Sequence, residues 1–459
     1  MNLQMCIEEL QSVLPGDVLL KDARDIKPFL EEWRGRWIGK TPLTLRPRTT
    51  KELATAVSIC ARHKTPITVQ GGNTGLVGGQ VPQGEILLLT TGLNQIISVD
   101  KDDMSMSCEA GVTLHAVREA AKNAGLLFPL SLASEGSCTI GGNLSTNAGG
   151  AHVLKYGTTR QLCYGVEAVL ADGSIYDGLT SLRKDNTGYD LSQLLLGAEG
   201  TLGIITAACL KLFPQPVETA YVFVGVQSPQ AALTLLTLLR NQSALSMFEL
   251  IPRLGIDYVC AHMGGRDPLS EVYPWYILLE WEEGQNSLEQ ILSKAIESDS
   301  VEDVIIAKSK AQANALLALR ENMSAAQKPI GATIKHDISV PIYKVPTFIQ
   351  QANKAVTNHI TNCRPLPFGH MGDGNIHYNI GQPKAMNAEA FMAQEEAINN
   401  IVYDIVSRLG GSISAEHGIG ILKKEQLQKR AESPKLQMMR QIKLALDPSN
   451  ILNPKVLFY

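Results

Sequence analysis

His370 and His377 stand seven residues apart in the segment FGHMGDGNIHYNI (368–380), and Glu416-His417 follow in AEHGIG (415–420). Three imidazoles and one carboxylate supply nitrogen and oxygen ligands for a divalent cation, with one imidazole to spare for moving a proton near neutral pH. Gly372-Asp373-Gly374 makes a tight turn that can fold the two histidines together, with Asp373 as a turn residue rather than a ligand. An isolated histidine is ordinarily a satisfied core group, so spacing and order carry this reading. A metal group in a chain also rich in glycine loops points to redox chemistry on a small oxygenated substrate.

The loops are three. QGGNTGLVGGQVP (70–82) follows a strand-like ITV and holds Gly71, Gly72, Gly75, Gly78 and Gly79. Successive amides without side chains form a concave nest for pyrophosphate oxygens. The spacing is not the dinucleotide fingerprint, which needs G-x-G-x-x-G opening a helix. The P-loop look-alike from Gly35 to Thr41 is one residue too short. SLASEGSCTIGGNLSTNAGG (131–150) adds Gly136, Gly141, Gly142, Gly149 and Gly150, and DNTGYDLSQLLLGAEGTLGIIT (185–206) adds Gly197, Glu199, Gly200 and Gly203. One such cluster is as readily a surface turn. Three in one lobe fit a large cofactor whose diphosphate, ribityl chain and ring are each held by backbone.

The elements that must position these groups are readable from periodicity. KELATAVSICARHK (51–64) and VTLHAVREAAKNAG (112–125) read as helices, ended by Pro66 and Gly125, and Asp172-Gly173 reads as a hairpin turn. CLKLFPQP (209–216) closes the glycine-loop region. Beyond it YVFVGV and WYILLEWEE read as strands, AALTLLTLLRN and AQANALLALRENMSAAQK as helices, and KLALDPSNILNPKVLF leaves a helix at Asp447-Pro448 for an extended tail. A chain of 459 residues is too long for one core, and 44% hydrophobic with 19% charged residues is an ordinary globular composition. The net charge of −4 argues against a nucleic acid or anionic-membrane partner. Eight scattered cysteines without a C-x-x-C pair exclude ferredoxin spacing and a thioredoxin motif. Unpatterned thiols, an N-terminus without a basic targeting region and no membrane-length apolar run lead to a cytoplasmic expectation.

QGGNTGLVGG, GSCTIGGNLSTNAGG, KDNTGYD, GAEGTLGIIT, GHMGDGNIH, EHGIG and LDPSNILNP occur here in one order from about Leu45 to Phe458. In that order they closely resemble the FAD-linked D-2-hydroxy-acid dehydrogenase branch of the vanillyl-alcohol-oxidase (PCMH-type) flavoproteins. The resemblance implies an α+β protein. A PCMH-type FAD-binding domain of two α/β subdomains spans residues 1–216. An α+β substrate- and metal-binding domain with an antiparallel sheet spans 217–440, and a C-terminal segment, 441–459, returns to complete the FAD site. It further implies FAD held by Gln70, Gly71, Gly72, Asn73, Thr74, Gly75, Gly78, Gly136, Ser137, Ile140, Gly141, Gly142, Asn147, Gly149, Gly150, Glu199, Gly200, Gly203, Ile204 and Asn453. Covalent-flavin members carry a histidine in the first loop; Asn73 stands there, so the FAD is expected to be non-covalent.

On the same resemblance His370, His377 and Glu416 are the metal ligands, leaving open positions on the ion, and zinc fits them, with manganese, cobalt or iron as replacements. His417 is the general base, with a fourth ligand or a supporting residue as the competing roles. Arg320, Ser324 and Lys335 match carboxylate-binding positions, with Ser324 where Thr is common, and Asn379 would hydrogen-bond the substrate from the strand of His377. Two cations and a metal suggest a 2-hydroxy dicarboxylate, D-2-hydroxyglutarate oxidised to 2-oxoglutarate by hydride transfer to flavin N5. A buried, unpaired Lys335 would penalise D-lactate or glycolate, and D-malate could bind like the longer acid. The competing readings are a D-lactate or glycolate dehydrogenase, a non-catalytic flavin electron-transfer subunit, and a metallohydrolase. Electrons are expected to leave to a separate acceptor, an electron-transfer flavoprotein or a quinone, with a homodimer as one assembly.

Overall fold

Short runs of apolar residues beside the first glycine loop build the first sheet of the protein. In this computed structural model, which describes residues 2–240, 242–283, 285–297 and 301–458, β1 (Leu19–Leu20), β2 (Thr44–Leu45), β3 (Ile67–Gln70) and β4 (Ile86–Leu89) align in the order β1-β2-β4-β3. The β4 run ILLL has no polar alternation and is buried throughout, as a strand flanked by parallel partners requires. The helix Thr50–His63 covers it with Leu53, Ala56, Val57 and Cys60. Its N-cap Thr49 accepts from Glu52 N, a contact worth about 1 kcal/mol. The amphipathic helix Asn2–Val13 packs on it through Cys6 and Leu10 in one shared core.

A second, wholly antiparallel sheet follows: β5 (Ile96–Asp100), β6 (Ser105–Glu109), β8 (Cys163–Val169), β9 (Ile175–Asp177) and β10 (Ile204–Lys211), in the order β5-β6-β10-β8-β9. The expected Asp172-Gly173 turn joins β8 to β9, with Gly173 at φ +89, where a Cβ would be strained. β7 (Leu126–Leu127) and β11 (Phe213–Pro214) form a separate pair.

The chain divides into two compact units. One takes Met1–Gly149, Gly157–Gln215 and Glu416–Tyr459; the other takes Gly150–Tyr156 and Pro216–Ala415. The return to the first unit therefore falls at Glu416, earlier than the expected 441. The cause is a long-range clamp: Ile419 N and Gly420 N donate to the Glu199 carboxylate, and Ile421 N and Leu422 N to Val77 O. The far tail then runs beside β3, with Ile67 N on Ile451 O and Asn453 N on Ile67 O. Gly150, expected among the FAD residues, falls in the second unit.

That second unit is built on one antiparallel sheet of seven strands: β12 (Ala220–Val226), β13 (Leu245–Pro252), β14 (Trp275–Trp281), β15 (Asp303–Ile306), β16 (Thr333–Ser339), β17 (Arg364–His370) and β18 (Asn375–Gly381). Their order is β15-β12-β14-β13-β17-β18-β16. The helix expected across AQANALLALRENMSAAQK breaks at Asn322 into Lys310–Glu321 and Met323–Ala326, so Arg320 and Ser324 do not share one continuous helix. Leu316, Leu319, Met323 and Ala326 still reach the core, beside Phe223, Met247, Tyr276 and Leu278 of the sheet. Among the described residues no helix is long and apolar enough to cross a membrane.

Candidate active site

In the first unit the glycine loops pack against one another. A Cβ on Gly72 would lie 1.9 Å from Ser137 O, and one on Gly71 2.3 Å from Thr139 Oγ1, so the first two loops meet backbone to backbone. The first loop also contains a row of unused donors: among the described residues, no backbone N–H from Gly72 to Gln80 donates to a protein acceptor. Asn73 at φ +54 and Gly78 at φ +77 turn the chain within this strip of donors, and Gln70 Oε1, just before it, is buried with no protein partner. Unanswered amides and a buried amide oxygen are what a diphosphate-bearing cofactor needs. Gln80 Nε2 donates to Gly75 O at 2.9 Å, Trp37 packs over Gly78, and the Asn73 side chain donates to Pro28 O and Glu31 O, so the strip is braced from outside. Thr74 lies within the strip, and Gly136 and Ser137 edge it, Gly136 facing open space.

Several residues expected to touch FAD also hold the loops together. The amides of Ile140, Gly141 and Gly142 go to Val112 O, Ala110 O and Thr139 Oγ1. Asn147, at φ +50, accepts from Arg160 N. Asn453 accepts from Val69 N and donates to Glu199 O, while Gly200 leaves room for its side chain. Gly203 packs on Leu195, and Ile204 is buried at the start of β10. Glu199 clamps the Ile419 and Gly420 amides; burial pushes its carboxyl up, and those amides oppose the shift. Glu416 lies against Gly149, where a Cβ would be 2.8 Å from its Oε1, and the half-buried His417 follows it in this unit. Replacing Gly72 by Ala is expected to force the loops apart at a cost of about 1–3 kcal/mol. The flavin-to-protein absorbance ratio should fall severalfold, and a full complement of flavin would show that the two loops are not what holds it.

In the second unit one face of the sheet turns polar at its β17–β18–β16 end. Strand alternation places Lys335 and Asp337 of β16 opposite Asn379 and His377 of β18, Phe368 of β17 opposite His377, and Glu249 of β13 opposite His370. The two imidazoles stand edge to face with centroids 5.4 Å apart. His377 Nδ1 is 4.0 Å from Asp337 Oδ1, and Asn375 Nδ2 donates to the same oxygen. The Asp373 carboxylate accepts from Asn375 N, the turn role expected of it.

Glu249 was not legible as a site residue, yet it organises this face. It is 1% exposed, with Oε1 on His370 Nδ1 and Oε2 receiving Arg320 Nε at 2.5 Å. Burial alone would raise its carboxyl, but the Arg320 guanidinium and the His370 imidazole outweigh that and hold it at about 2. Arg320 also lies over the Phe368 ring at 4.9 Å. With Nδ1 engaged by the carboxylate, His370 would present Nε2 to a metal. The available signal was the lone acid in the wholly buried strand LSMFELIP. Asn379 is buried and donates to Gln327 Oε1, which fixes its amide, and Ser324 is exposed on its short helix. Lys335 is exposed too, so the expected penalty of a buried cation against monocarboxylates does not operate.

The chain is similar to known flavoproteins in sequence and in fold. Residues 41–178 match the FAD binding domain, and residues 215–457 match the FAD linked oxidases, C-terminal domain. The fold resembles p-cresol methylhydroxylase at a TM-score of 0.77, with 17% identity and coverage of 99% of this chain and 96% of that one. It also resembles alkyldihydroxyacetonephosphate synthase at 0.74, with 16% identity and coverage of 98% and 84%. The fold is of the PCMH type, and the matched families make the chain an FAD-linked flavoprotein. Relatives include the D-2-hydroxyglutarate dehydrogenase of Xanthomonas citri pv. viticola, 33% identical over 98% of this chain and 96% of that protein. The mitochondrial enzyme of that name from Bos taurus is 36% identical, covering 97% and 82%. A putative mitochondrial D-lactate dehydrogenase of Schizosaccharomyces pombe is 34% identical, covering 96% and 86%. Within the PCMH class, the chain belongs to the FAD-linked D-2-hydroxy-acid dehydrogenase family.

Proposed function

We propose that the protein oxidises D-2-hydroxyglutarate to 2-oxoglutarate with the aid of a divalent cation held by His370, His377 and Glu416. The observation that carries the reading is the polar stripe of the second unit, where two imidazoles share a sheet face with Glu249, Lys335, Asp337 and Asn379, and Arg320 reaches Glu249. The donor set of two imidazoles and a carboxylate fits zinc, manganese, cobalt or iron. When bound, such an ion would be chelated by the hydroxyl and carboxylate of a 2-hydroxy acid and would make the hydroxyl more acidic, and bound FAD would supply the hydride acceptor. His417 removes the hydroxyl proton on its imidazole. Arg320, through the part of its fork not on Glu249, takes the second carboxylate together with Ser324 and Lys335. Asn379, its amide set by Gln327, orients the substrate. The electrons leave to an electron-transfer flavoprotein or a quinone.

The test is anaerobic bleaching of the flavin by D-2-hydroxyglutarate and by D-lactate, with and without a chelator. Fast, chelator-sensitive bleaching by the dicarboxylate is the expected result. The exposure of Lys335 favours the monocarboxylate as the second reading, and faster bleaching by D-lactate would replace the first with it.

A further inference from the structure

We propose that Glu249 is a positioning residue that couples the metal site to recognition of the second carboxylate, because one buried carboxylate fixes both the histidine His370 and the arginine Arg320. The inference rests on the substrate reading above and names a residue outside its ligand and substrate sets.

Glu249 lies on β13, directly opposite His370 on β17 in the antiparallel register. Its neighbours in the strand are buried and apolar, so water does not compete for its oxygens. Each oxygen has one charged or polar partner: Oε1 takes His370 Nδ1, and Oε2 takes Arg320 Nε at 2.5 Å. The first contact sets the imidazole tautomer with the proton on Nδ1 and directs Nε2 to a cation, as the outer partners of metal histidines do. The second holds the guanidinium over Phe368, 4.9 Å from the ring centroid, and uses its Nε edge. The charge of Arg320 is thus largely balanced before substrate arrives. A carboxylate that binds Arg320 draws the guanidinium from Glu249, and the released negative charge turns toward the His370 proton. A cation on His370 polarises that proton and draws Glu249 the other way. Each event changes the other's free energy, and the coupling is reciprocal.

Glu249→Gln separates these roles, since an amide has one acceptor oxygen where the carboxylate has two, and its NH2 faces a donor on one side. Three readouts on the purified holoenzyme decide the matter: metal affinity by competition with a chelator, KM and kcat for D-2-hydroxyglutarate and D-lactate, and the melting temperature of the metal-free protein. For E249Q we expect metal affinity to fall about 10–100-fold. The KM for the dicarboxylate should rise at least about tenfold, the contact at stake being a charge-assisted pair, and the KM for D-lactate about threefold or less. Arg320→Met, which removes no metal ligand and leaves the Glu249 charge to His370, should raise metal affinity several-fold, and that gain should be absent when the substitution is made in E249Q. Unchanged metal affinity in both single variants overturns the proposal. So does an equal loss for both substrates accompanied by a lowered melting temperature, which marks a purely structural residue. Should E249Q fail to fold, the R320M metal affinity decides alone. If the wild-type enzyme prefers D-lactate, the substrate reading falls, while the R320M metal measurement still tests the coupling.

Discussion

Replacing His377 by Ala should lower the rate of flavin reduction by D-2-hydroxyglutarate by about 10³-fold or more, about 4 kcal/mol of lost transition-state stabilisation. His377 sits on β18 between Asp337 across one strand boundary and Phe368 across the other, so its ring is held in place by neighbours rather than by its own helix or loop. On the proposed ligand set, its removal would leave one imidazole and one carboxylate for the cation, too few for tight binding at neutral pH. Little else should change. The FAD loops belong to the other unit, so the variant should keep its flavin and its yellow colour. Chelation of the wild-type protein should give the same loss, reversed by added zinc, manganese or cobalt. Stopped-flow absorbance under anaerobic conditions, paired with metal analysis, reads both quantities. A variant that reduces its flavin at the wild-type rate would remove the metal from the mechanism and leave His370 and His377 as ordinary polar core residues.

The sequence showed the elements well where one principle dominated and poorly where tertiary contacts intervened. Helix Thr50–His63 carries its own cap and apolar face, so periodicity sufficed. The histidine turn was also legible, because Gly372-Asp373-Gly374 joins β17 to β18 and Gly374 takes the positive φ that such a turn needs. Three features were not legible. The break at Asn322 lies within a stretch whose propensities favour an unbroken helix, and packing of Met323 and Ala326 on the core overrides them. The early return at Glu416 depends on Glu199, more than two hundred residues away in sequence, and no local pattern records such a clamp. The exposure of Lys335 is a matter of which face of β16 is covered, and a strand pattern reports alternation without saying what lies over each side. Several of the glycines and polar groups expected at FAD also hold loop on loop, which is the same ambiguity: close approach of backbone to backbone needs glycine as much as approach to a ligand does.

A second large effect is expected at a residue the motif LDPSNILNP conceals. Lys443 precedes it in the helix Ser433–Leu446 and is almost fully buried. Its Nζ donates to Thr201 O, to Leu452 O and to Asp447 Oδ2 at 2.5 Å, and Asp447 in turn accepts from Ile451 N and Leu452 N. Burial pushes the lysine's pKa down, and Asp447 works against that shift. One ammonium therefore ties the helix, the C-terminal tail and the loop after Gly200, and Asn453 continues the tie to Val69 and Glu199. Lys443→Met leaves the Asp447 carboxylate buried without its cation, a change that costs about 3–5 kcal/mol. The expected result is a lower urea midpoint and weaker retention of FAD, because the third glycine loop loses its anchor beneath Gly200. Pairing it with Asp447→Asn removes the stranded charge and should recover part of the midpoint. Recovery would assign the loss to the unpaired carboxylate. An additive, deeper loss would assign it instead to the two carbonyls, Thr201 O and Leu452 O, to which the lysine donates. A midpoint unchanged by Lys443→Met would show that the tail is held without this ion pair.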